Sequence, residues 1–382
     1  MAAGDTLTID QYSPLSHKLP LADTAPTNLA PTWVPANQTR RLNAYKVLAA
    51  YRNNVARHLA AGTLTDEDRA KRREYGDAEL LVSRTTGGVL GDQIQLVVDG
   101  ADQDLPDTPD LPPAPDQLPE GASQIEQRIH TSRTARWDAR ASEIVDQWEQ
   151  DWAAQPGLIE RQEWLRAWAD DEFLIGKIVE AEGDIVGLGD GVYVLDWSTT
   201  DQRPTVDVYD PGFYFPVLTD TERGFPSKVH LCWEYEAPDP NGVTRRHVRR
   251  LTYELAPIPF AVDPFTGELA IDTGDDGVER LVLQDGDRFN DQTGLVERTY
   301  PWAAEGDDPA TVTCLFTDAT WELAQLTHGT KVDDFDETKA TFATTQDGQV
   351  ARRLDKRCDF VPVIHVPNTP ATREHFGRSI LD

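Results

Sequence analysis

The spacing of apolar residues divides the chain into a helical first part and a strand-rich second part. Leu42, Tyr45 and Leu48 recur at helical spacing. They predict a helix that begins near Thr39 and that Gly62 caps at its end. The first long element of the chain is therefore predicted to be an amphipathic helix.

A second helical segment is predicted from about residue 75, ending at Gly87 and Gly88, because consecutive glycines weaken a helix. Ile94, Leu96 and Val98 then alternate with polar residues, as on a half-buried strand. Residues 39–100 are therefore predicted to form a helical N-terminal part that contains one strand.

Tryptophans are concentrated in two apolar stripes within residues 123–184. Pro156 and Gly157 separate the stripes, and a proline inside a helix removes a backbone hydrogen bond. The pattern predicts two helices that join at this point into a helical hairpin. Its tryptophans are expected in a core or a subunit interface. The two stripes consist of Trp137, Ile144, Val145, Trp148 and Trp152, and of Leu158, Trp164, Leu165, Trp168 and Ile175.

From about Ile185 the apolar period shortens to two, and Gly, Pro, Asp and Asn turns separate the alternating segments. This pattern predicts antiparallel strands, so the fold class is α+β with helices first and a β-rich region after them. The predicted divisions are an extended or disordered arm at 1–38, the helical part at 39–100, a Pro- and Asp-rich linker or insertion at 101–122, the helical hairpin at 123–184 and the β-rich region at 185–368.

The chain is strongly acidic, with a formal net charge of −30 over 382 residues. A protein that grips nucleic acid by neutralising phosphates needs a basic footprint, so this class is disfavoured. Three explanations stay open for the charge. It could form an acidic wall along which DNA slides, keep the protein in solution, or reflect adaptation to salt.

Cysteine usage and hydropathy indicate an intracellular protein without a membrane span. Cys232, Cys314 and Cys358 are far apart and form no CxxC pair, which favours reduced, partly buried thiols. A disulfide between two of them stays open. No apolar run approaches the roughly 18 residues of a membrane helix, and no signal peptide is evident.

The motifs that resemble reactive or ligand-binding sites favour structural interpretations. The Asp/Gly segments at 272–277 and 285–291 lack the terminal Glu of a calcium loop. The GLGDG segment at 187–191 lacks the Lys-Ser/Thr of a phosphate loop, so it predicts a turn from helix to strand in which Asp190 bonds backbone amides of that turn. His247 and His365 lie in strands and are interpreted as structural. We therefore predict no enzyme activity, no catalytic residue, no metal and no cofactor.

A local reversal of charge occurs in RRHVRRL, where Arg245, Arg246, Arg249 and Arg250 fall within seven residues. On a strand, Arg245 and Arg249 share one face and Arg246 and Arg250 the other. One alternative is ion pairing with neighbouring acidic strands. The other makes these four arginines candidate interface residues that contact an acidic neighbouring subunit.

Several motifs follow one another in a fixed order along residues 40–382. A helix with Tyr45 and Tyr51, YGDAELLV and the Trp-rich helices come first. GDGVYVLDW and VDVYDPGFYFPV follow, and PVIHVPN and FGRS close the chain. In this order they resemble the portal proteins of tailed double-stranded DNA viruses, more loosely in 220–350. The resemblance implies a wing-like region at 185–368. It also implies that 369–382 starts the next helix, capped by Ser379, before a stem, clip and crown that this sequence lacks.

The resemblance further implies a structural subunit of a homo-oligomeric ring, in that family usually a dodecamer, at one vertex of a virion that assembles in the host cytoplasm. Such a ring forms the channel for DNA packaging and ejection, and DNA passes through it without sequence specificity. Expected partners are the major capsid protein, the terminase and a head-tail connector, with no membrane. Ring interfaces are heterologous, so two different patches of each subunit meet.

Two other functions compete with this expectation. A secreted or salt-adapted hydrolase would have a concave site with two carboxyl groups and an aromatic platform, and would act as a monomer. Another virion structural protein would share the composition and differ only in the ordered motifs.

Overall fold

The computed structural model describes residues 35–52, 77–91, 94, 96–99, 101, 109–118, 123–218, 225–238, 241–261, 270–273, 279–303, 306–327, 329–345, 348, 350–368 and 375–381. The predicted arm at 1–38 lies outside these residues except at its end, where Ala36–Gln38 form a 3-10 turn. The predicted Gly62 cap also lies outside them.

Helices and antiparallel strands together make up most of the described residues, which confirms the α+β class. The helices are α1 (Thr39–Arg52), α2 (Asp77–Leu90), α3 (Gln124–Asp171) and α4 (Leu174–Leu188). The strands are β1 (Asp190–Ser198), β2 (Arg203–Tyr209), β3 (Tyr214–Pro216), β4 (Lys228–Pro238), β5 (Thr244–Pro257), β6 (Ile271–Thr273), β7 (Glu279–Leu281), β8 (Asp287–Asn290), β9 (Leu295–Arg298), β10 (Val312–Glu322), β11 (Thr341–Phe342), β12 (Leu354–Asp355) and β13 (Val363–Pro367).

The chain forms two compact units, and their borders differ from the predicted divisions. One unit spans Asp92–Ile175, and the other combines the residues up to Gly91 with those from Gly176 onward. The predicted linker at 101–122 therefore lies inside the first of these units. The helix α2 also continues past Gly87 and Gly88 to Leu90. Both glycines lie on its surface, where nothing is within 4 Å of an added Cβ.

In the 92–175 unit, α3 runs for 48 residues without interruption, so the predicted break at Pro156 and Gly157 is wrong and no hairpin forms there. An exposed proline costs the helix about 3 kcal/mol and one hydrogen bond, whereas a long helix keeps its bonds on both sides. The helix breaks instead at Glu172 and Phe173, where Phe173 takes a left-handed φ of 51°. At the other end, Ser123 and Glu126 form a reciprocal capping box.

An extended segment within 96–118 packs along α3 in the opposite direction. The buried Gln162 side chain donates to Leu96 O at 2.6 Å and accepts the Val98 N–H. Further along, the Trp137 indole donates to Pro112 O at 2.8 Å. The predicted strand around Ile94 is therefore wrong for the described residues, because a side chain satisfies this backbone in place of a second strand. The Pro-rich residues pack against the helix.

In the other unit, the strands form two main antiparallel sheets. One has the order β13-β1-β2, and the other has the order β11-β10-β5-β4-β3 with β12 on the edge of β10. Two hairpins, β6-β7 and β8-β9, complete the described strands. The longest pairings join β5 to β4 and to β10, and the buried tryptophans Trp233 and Trp321 lie on the two outer partners.

The core of this unit lies between the sheets, where alternate strand residues point inward. Val192 and Val194 of β1 contribute to it, together with Val229, Leu231 and Trp233 of β4. All three cysteines are buried and free, as predicted for thiols. None of the described helices is both long and apolar enough to cross a membrane.

Candidate functional site

The turn between α4 and β1 positions a buried carboxylate, Asp190, that bonds three distant segments. The helix α4 ends at Leu188, Gly189 takes a left-handed φ of 103°, and β1 starts at Asp190. This confirms the prediction that GLGDG is a turn from helix to strand. A Cβ on Gly189 would lie 2.9 Å from the backbone carbon of Arg378, so both conformation and space require glycine there.

Asp190 is 1% exposed and accepts hydrogen bonds from three distant segments. His365 Nε2 of β13 lies 2.7 Å from Asp190 Oδ1, the Gly377 N–H donates to the same oxygen at 2.8 Å, and the Tyr45 hydroxyl of α1 donates to Oδ2. We call these four residues the Asp190 cluster. Asp190 thus accepts a hydrogen bond from a backbone amide, but the donor is Gly377, close to the end of the sequence, and not an amide of the turn as predicted.

The pKa values of this cluster reflect its burial and its bonds. Burial raises the pKa of Asp190, but the hydrogen bonds from His365, Gly377 and Tyr45 outweigh it, so the net direction is downward. Burial raises the pKa of Tyr45 well above its ordinary value, and the Asp190 charge adds to this. The carboxylate therefore stays ionised and the phenol stays protonated, as the hydrogen bond between them requires.

An aromatic stack extends the Asp190 cluster toward the C-terminal segment. The Tyr214 ring lies 4.8 Å from His365 and 5.8 Å from His375, and His375 Nε2 is 3.0 Å from the Tyr214 hydroxyl. Burial and the His365 charge lower the pKa of His375 to about 4. A neutral imidazole is therefore the form that stacks here at neutral pH.

Arg41 of α1 closes the cluster from the helical side. Its guanidinium donates to Pro211 O at 2.7 Å and to Tyr214 O at 2.8 Å, and it lies 4.6 Å from the centre of the Phe376 ring. Cation–π contact and backbone bonding together fix α1 against the segment before β3. Arg41 was missed by sequence reasoning, and its position one residue before the buried Leu42 was the only signal.

The C-terminal residues pack against the end of α4 and the end of β13. Asn368 N–H donates to Gly189 O at 2.8 Å, and Arg378 N–H donates to Asn368 O at 2.8 Å. The Ser379 hydroxyl donates to Gly187 O at 2.7 Å and accepts the Leu381 N–H. Residues 375–381 contain no helix, so the predicted start of a helix at 369–382 is not seen in its described part, and Ser379 bonds α4 as well as its own turn.

The arrangement holds segments together. An Asp–His pair also occurs in hydrolases, where it orients a base beside a nucleophile. Here Asp190 and His365 are nearly fully buried, and each of the Asp190 bonds connects a different element. The Asp190 cluster therefore acts as a joint between α1, α4, β1, β13 and the C-terminal segment.

On one face of β5, two of the predicted interface arginines bind strand β10. Arg249 Nε donates to Asp318 Oδ1 at 2.9 Å and its guanidinium lies 5.6 Å from the Trp233 ring. Arg245 lies 3.4 Å from Glu322 further along the same pair of strands. The predicted shared face of Arg245 and Arg249 is thus observed, and acidic residues of the neighbouring strand occupy it.

On the other face of β5, Arg246 forms an ion pair with the fully buried Glu234. Arg250 is 3% exposed, donates to Val332 O at 2.9 Å and contacts Glu337 at 3.0 Å. All four arginines therefore bind acidic partners within the chain, the first of the two predicted alternatives. Arg250 is the most buried of the four, and the interface interpretation of these arginines stays a prediction.

A polar cavity of about 210 Å³ lies over the sheet beside these arginines. Its carboxylates are used in ion pairs, since Asp333 lies 2.7 Å from Lys228 and Glu337 binds Arg250. No aromatic residue is among those that line it, so it lacks the platform that the hydrolase alternative predicts. The lining consists of Lys228, Arg250, Thr252, Glu254, Thr317, Asp333, Glu337, Arg352 and Arg353.

The Asp/Gly segment at 285–291 is a hairpin. Asp287 opens β8 and is bound by Arg298 of β9 through two hydrogen bonds of 2.6 and 2.8 Å. In the part of the chain that the structure describes, no group of three or more His, Cys, Asp or Glu side chains could hold a metal ion. The other segment, 272–277, lies largely outside that part.

No model of a known protein family matches the chain, and no curated protein matches it significantly.

Proposed function

We propose that the chain is a structural subunit of a ring-shaped viral portal, which forms the channel for double-stranded DNA at one capsid vertex. The observation that supports this most is the composition of the Asp190 cluster. Five of the motifs that carry the resemblance are far apart in sequence, yet their residues meet at the Asp190 cluster and at the Tyr214 ring stacked beside it.

Each of these five motifs contributes a different residue to the cluster or to the stack beside it. GDGVYVLDW supplies Asp190 and the strand after it, and YDPGFYF supplies Tyr214. PVIHVPN supplies His365, and the FGRS segment supplies Gly377, while the first helix supplies Tyr45. Residues of motifs that are far apart in the sequence lie together in the fold, which supports one ordered architecture over unrelated short matches.

In this proposal the chain has no enzymatic role, and a separate terminase drives the DNA. The β-rich region forms the wing, which contacts neighbouring copies and the major capsid protein in the virion. Because the net charge is −30, the channel repels phosphates and DNA passes without being gripped.

The test is the mass and shape of the assembly. The chain is expressed with any residues that follow Asp382 in its gene and measured by native mass spectrometry and negative-stain imaging, in low and high salt. Closed rings with a central hole are expected. A strict monomer under all conditions contradicts the proposal, and turnover of a glycoside panel by that monomer would favour the hydrolase.

A further inference from the structure

Two of the three cysteines lie side by side at the edge of the larger sheet. Cys314 is on β10, and Cys358 follows β12, which pairs with β10. Arg357 takes a left-handed φ of 54°, and this irregular residue lets both of its neighbours bond Cys314. Lys356 N–H donates to Cys314 O at 2.9 Å, and Cys314 N–H donates to Cys358 O at 2.7 Å. The Cys358 thiol donates to Phe360 O at 3.3 Å, and the two thiols are close enough that each is the largest influence on the pKa of the other.

The two thiols differ in their ionisation. The hydrogen bond from Cys314 lowers the pKa of Cys358 although burial opposes it, and the nearby Lys356 charge adds to the lowering. Cys314 shows the opposite shift, since its bond to Cys358 and its burial raise its pKa. A thiolate is the reactive form of cysteine, so Cys358 is the more reactive of the two. Cys232 is fully buried elsewhere in the core.

We propose that Cys314 and Cys358 form an oxidation site at which a peroxide converts the paired thiols into a disulfide. The Cys358 thiolate attacks one peroxide oxygen and breaks the O–O bond, which gives a sulfenic acid and, after protonation, one water. The Cys314 sulfur then attacks the sulfenic sulfur, and the S–S bond forms as a second water leaves. Two thiols lose two protons and two electrons, and the peroxide takes them up.

The disulfide would fasten the connection between the two sheets. Cys358 lies between β12 of the larger sheet and β13 of the smaller one, and β13 carries His365 of the Asp190 cluster. Cross-linking this connection to β10 closes a long loop, which stabilises the folded state most when the loop is long. The thiols stay reduced in a cytoplasm, and the bond forms once the protein reaches oxidising surroundings.

The test is disulfide mapping of the folded protein after treatment with hydrogen peroxide. Free thiols are alkylated after unfolding, and peptides are identified by mass spectrometry without reduction. The expected result is a single Cys314–Cys358 disulfide within one chain, free Cys232, and a higher midpoint of thermal unfolding than in the reduced protein. Three free thiols, a link to Cys232 or a link between chains would overturn the proposal.

Variants assign the two roles. Cys358→Ser should abolish the disulfide and leave Cys314 free, whereas Cys314→Ser should leave a sulfenic acid on Cys358 that dimedone captures. Cys232→Ser is the matched control and should form the disulfide as the unaltered chain does. If a serine variant does not fold, the mapping of the unaltered chain still decides the proposal. Dimedone labelling at Cys314 in place of Cys358 would contradict the assigned order.

Discussion

Asp190 holds distant parts of the chain together. It receives hydrogen bonds from Tyr45, His365 and Gly377, which belong to a helix, a strand and the C-terminal segment. Bonds to an ionised acceptor are stronger than neutral ones, and burial makes their loss costly. This carboxylate therefore decides whether three segments are held at one point.

Replacing Asp190 with Asn should lower the free energy of unfolding by about 3 kcal/mol, because the amide is neutral and cannot accept with both of its polar atoms. Urea unfolding measures this change. Asp196→Asn is the control, since Asp196 lies on the same strand and is exposed, and its carboxylate bonds only the neighbouring Trp197 N–H and forms a surface ion pair with Lys356. Its expected cost is at most about 1 kcal/mol. Equal costs for the two variants would contradict a special role of Asp190.

His230 gives the protein a pH dependence of defined sign. Its side chain is 2% exposed, Nδ1 faces the Thr252 hydroxyl at 2.9 Å and Nε2 faces Asp333 at 3.1 Å. A neutral ring that accepts from Thr252 and donates to Asp333 satisfies both contacts. Burial lowers the pKa of His230 from 6.5 to about 4, so the folded state holds this ring unprotonated.

At His230 the unfolded chain therefore binds more protons than the folded one between pH 6.5 and 4. Stability from His230 should be complete above pH 6.5 and lost as the pH falls toward 4, by up to about 3 kcal/mol. His375 shifts in the same direction but is less buried. Urea unfolding across this range should show a shallower loss in His230→Gln than in the unaltered chain. An identical slope in both would refute this origin.

At the level of single residues, the sequence predicted types of environment better than partners. Arginines in a strand of an acidic chain predict ion pairs, and Arg249 and Arg245 form them with β10. The register between β5 and β10 places Asp318 and Glu322 beside these arginines. That register depends on pairing along both strands, and the periodicity of one segment does not specify it. The link of Asp190 to Gly377 depends on the whole fold for the same reason.

At the scale of elements, the close packing of the C-terminal segment against the α4–β1 turn should be highly sensitive to size. A Cβ on Gly377 would lie 2.1 Å from Gly189 O and 2.4 Å from Asn368 N, both backbone atoms that cannot rotate away. Gly377→Ala should therefore destabilise the fold by about 3 kcal/mol or more and release residues 375–381. Hydrogen exchange would show the loss of protection of Arg378 and Ile380 amides.

Gly88→Ala is the matched control for this change. Gly88 lies inside α2, and nothing is within 4 Å of its added Cβ. Alanine favours a helix over glycine by about 1 kcal/mol, so this variant should be more stable. Destabilisation by Gly88→Ala, or tolerance of Gly377→Ala, would show that the packing around these glycines differs from that described.

The predicted elements failed where contacts outside the element outweighed a local signal. Pro156 predicted a break, yet α3 continues because the hydrogen bonds of its remaining turns outweigh the one that the proline removes. Leu96 and Val98 predicted a strand, yet Gln162 satisfies their backbone. The antiparallel strands after Ile185 were predicted well, because alternating segments separated by turn residues are a local signal that the sequence itself contains.

For the whole molecule, the net charge of −30 should oppose compaction. Screening shortens the range of this repulsion, since the Debye length falls from about 10 Å at 0.1 M salt to about 3 Å at 1 M. Buried pairs are protected from such screening. The Arg298 side chain is 3% exposed and binds Asp287, whose side chain is fully buried. Surface repulsion and a buried ion pair can therefore be measured separately in one protein.

The midpoint of thermal unfolding should therefore rise as NaCl increases from about 0.1 M to about 1 M, because surface repulsion is screened. Asp287→Asn should cost about 3 kcal/mol at both salt concentrations, because it leaves Arg298 buried with an incomplete set of partners. Calorimetry and urea unfolding measure the two effects. A midpoint that does not change with salt would mean that local ion pairs already neutralise the acidic surface. The acidic residues would then serve mainly as partners in ion pairs within the fold, and neither salt adaptation nor a repulsive DNA channel would be needed to explain the charge.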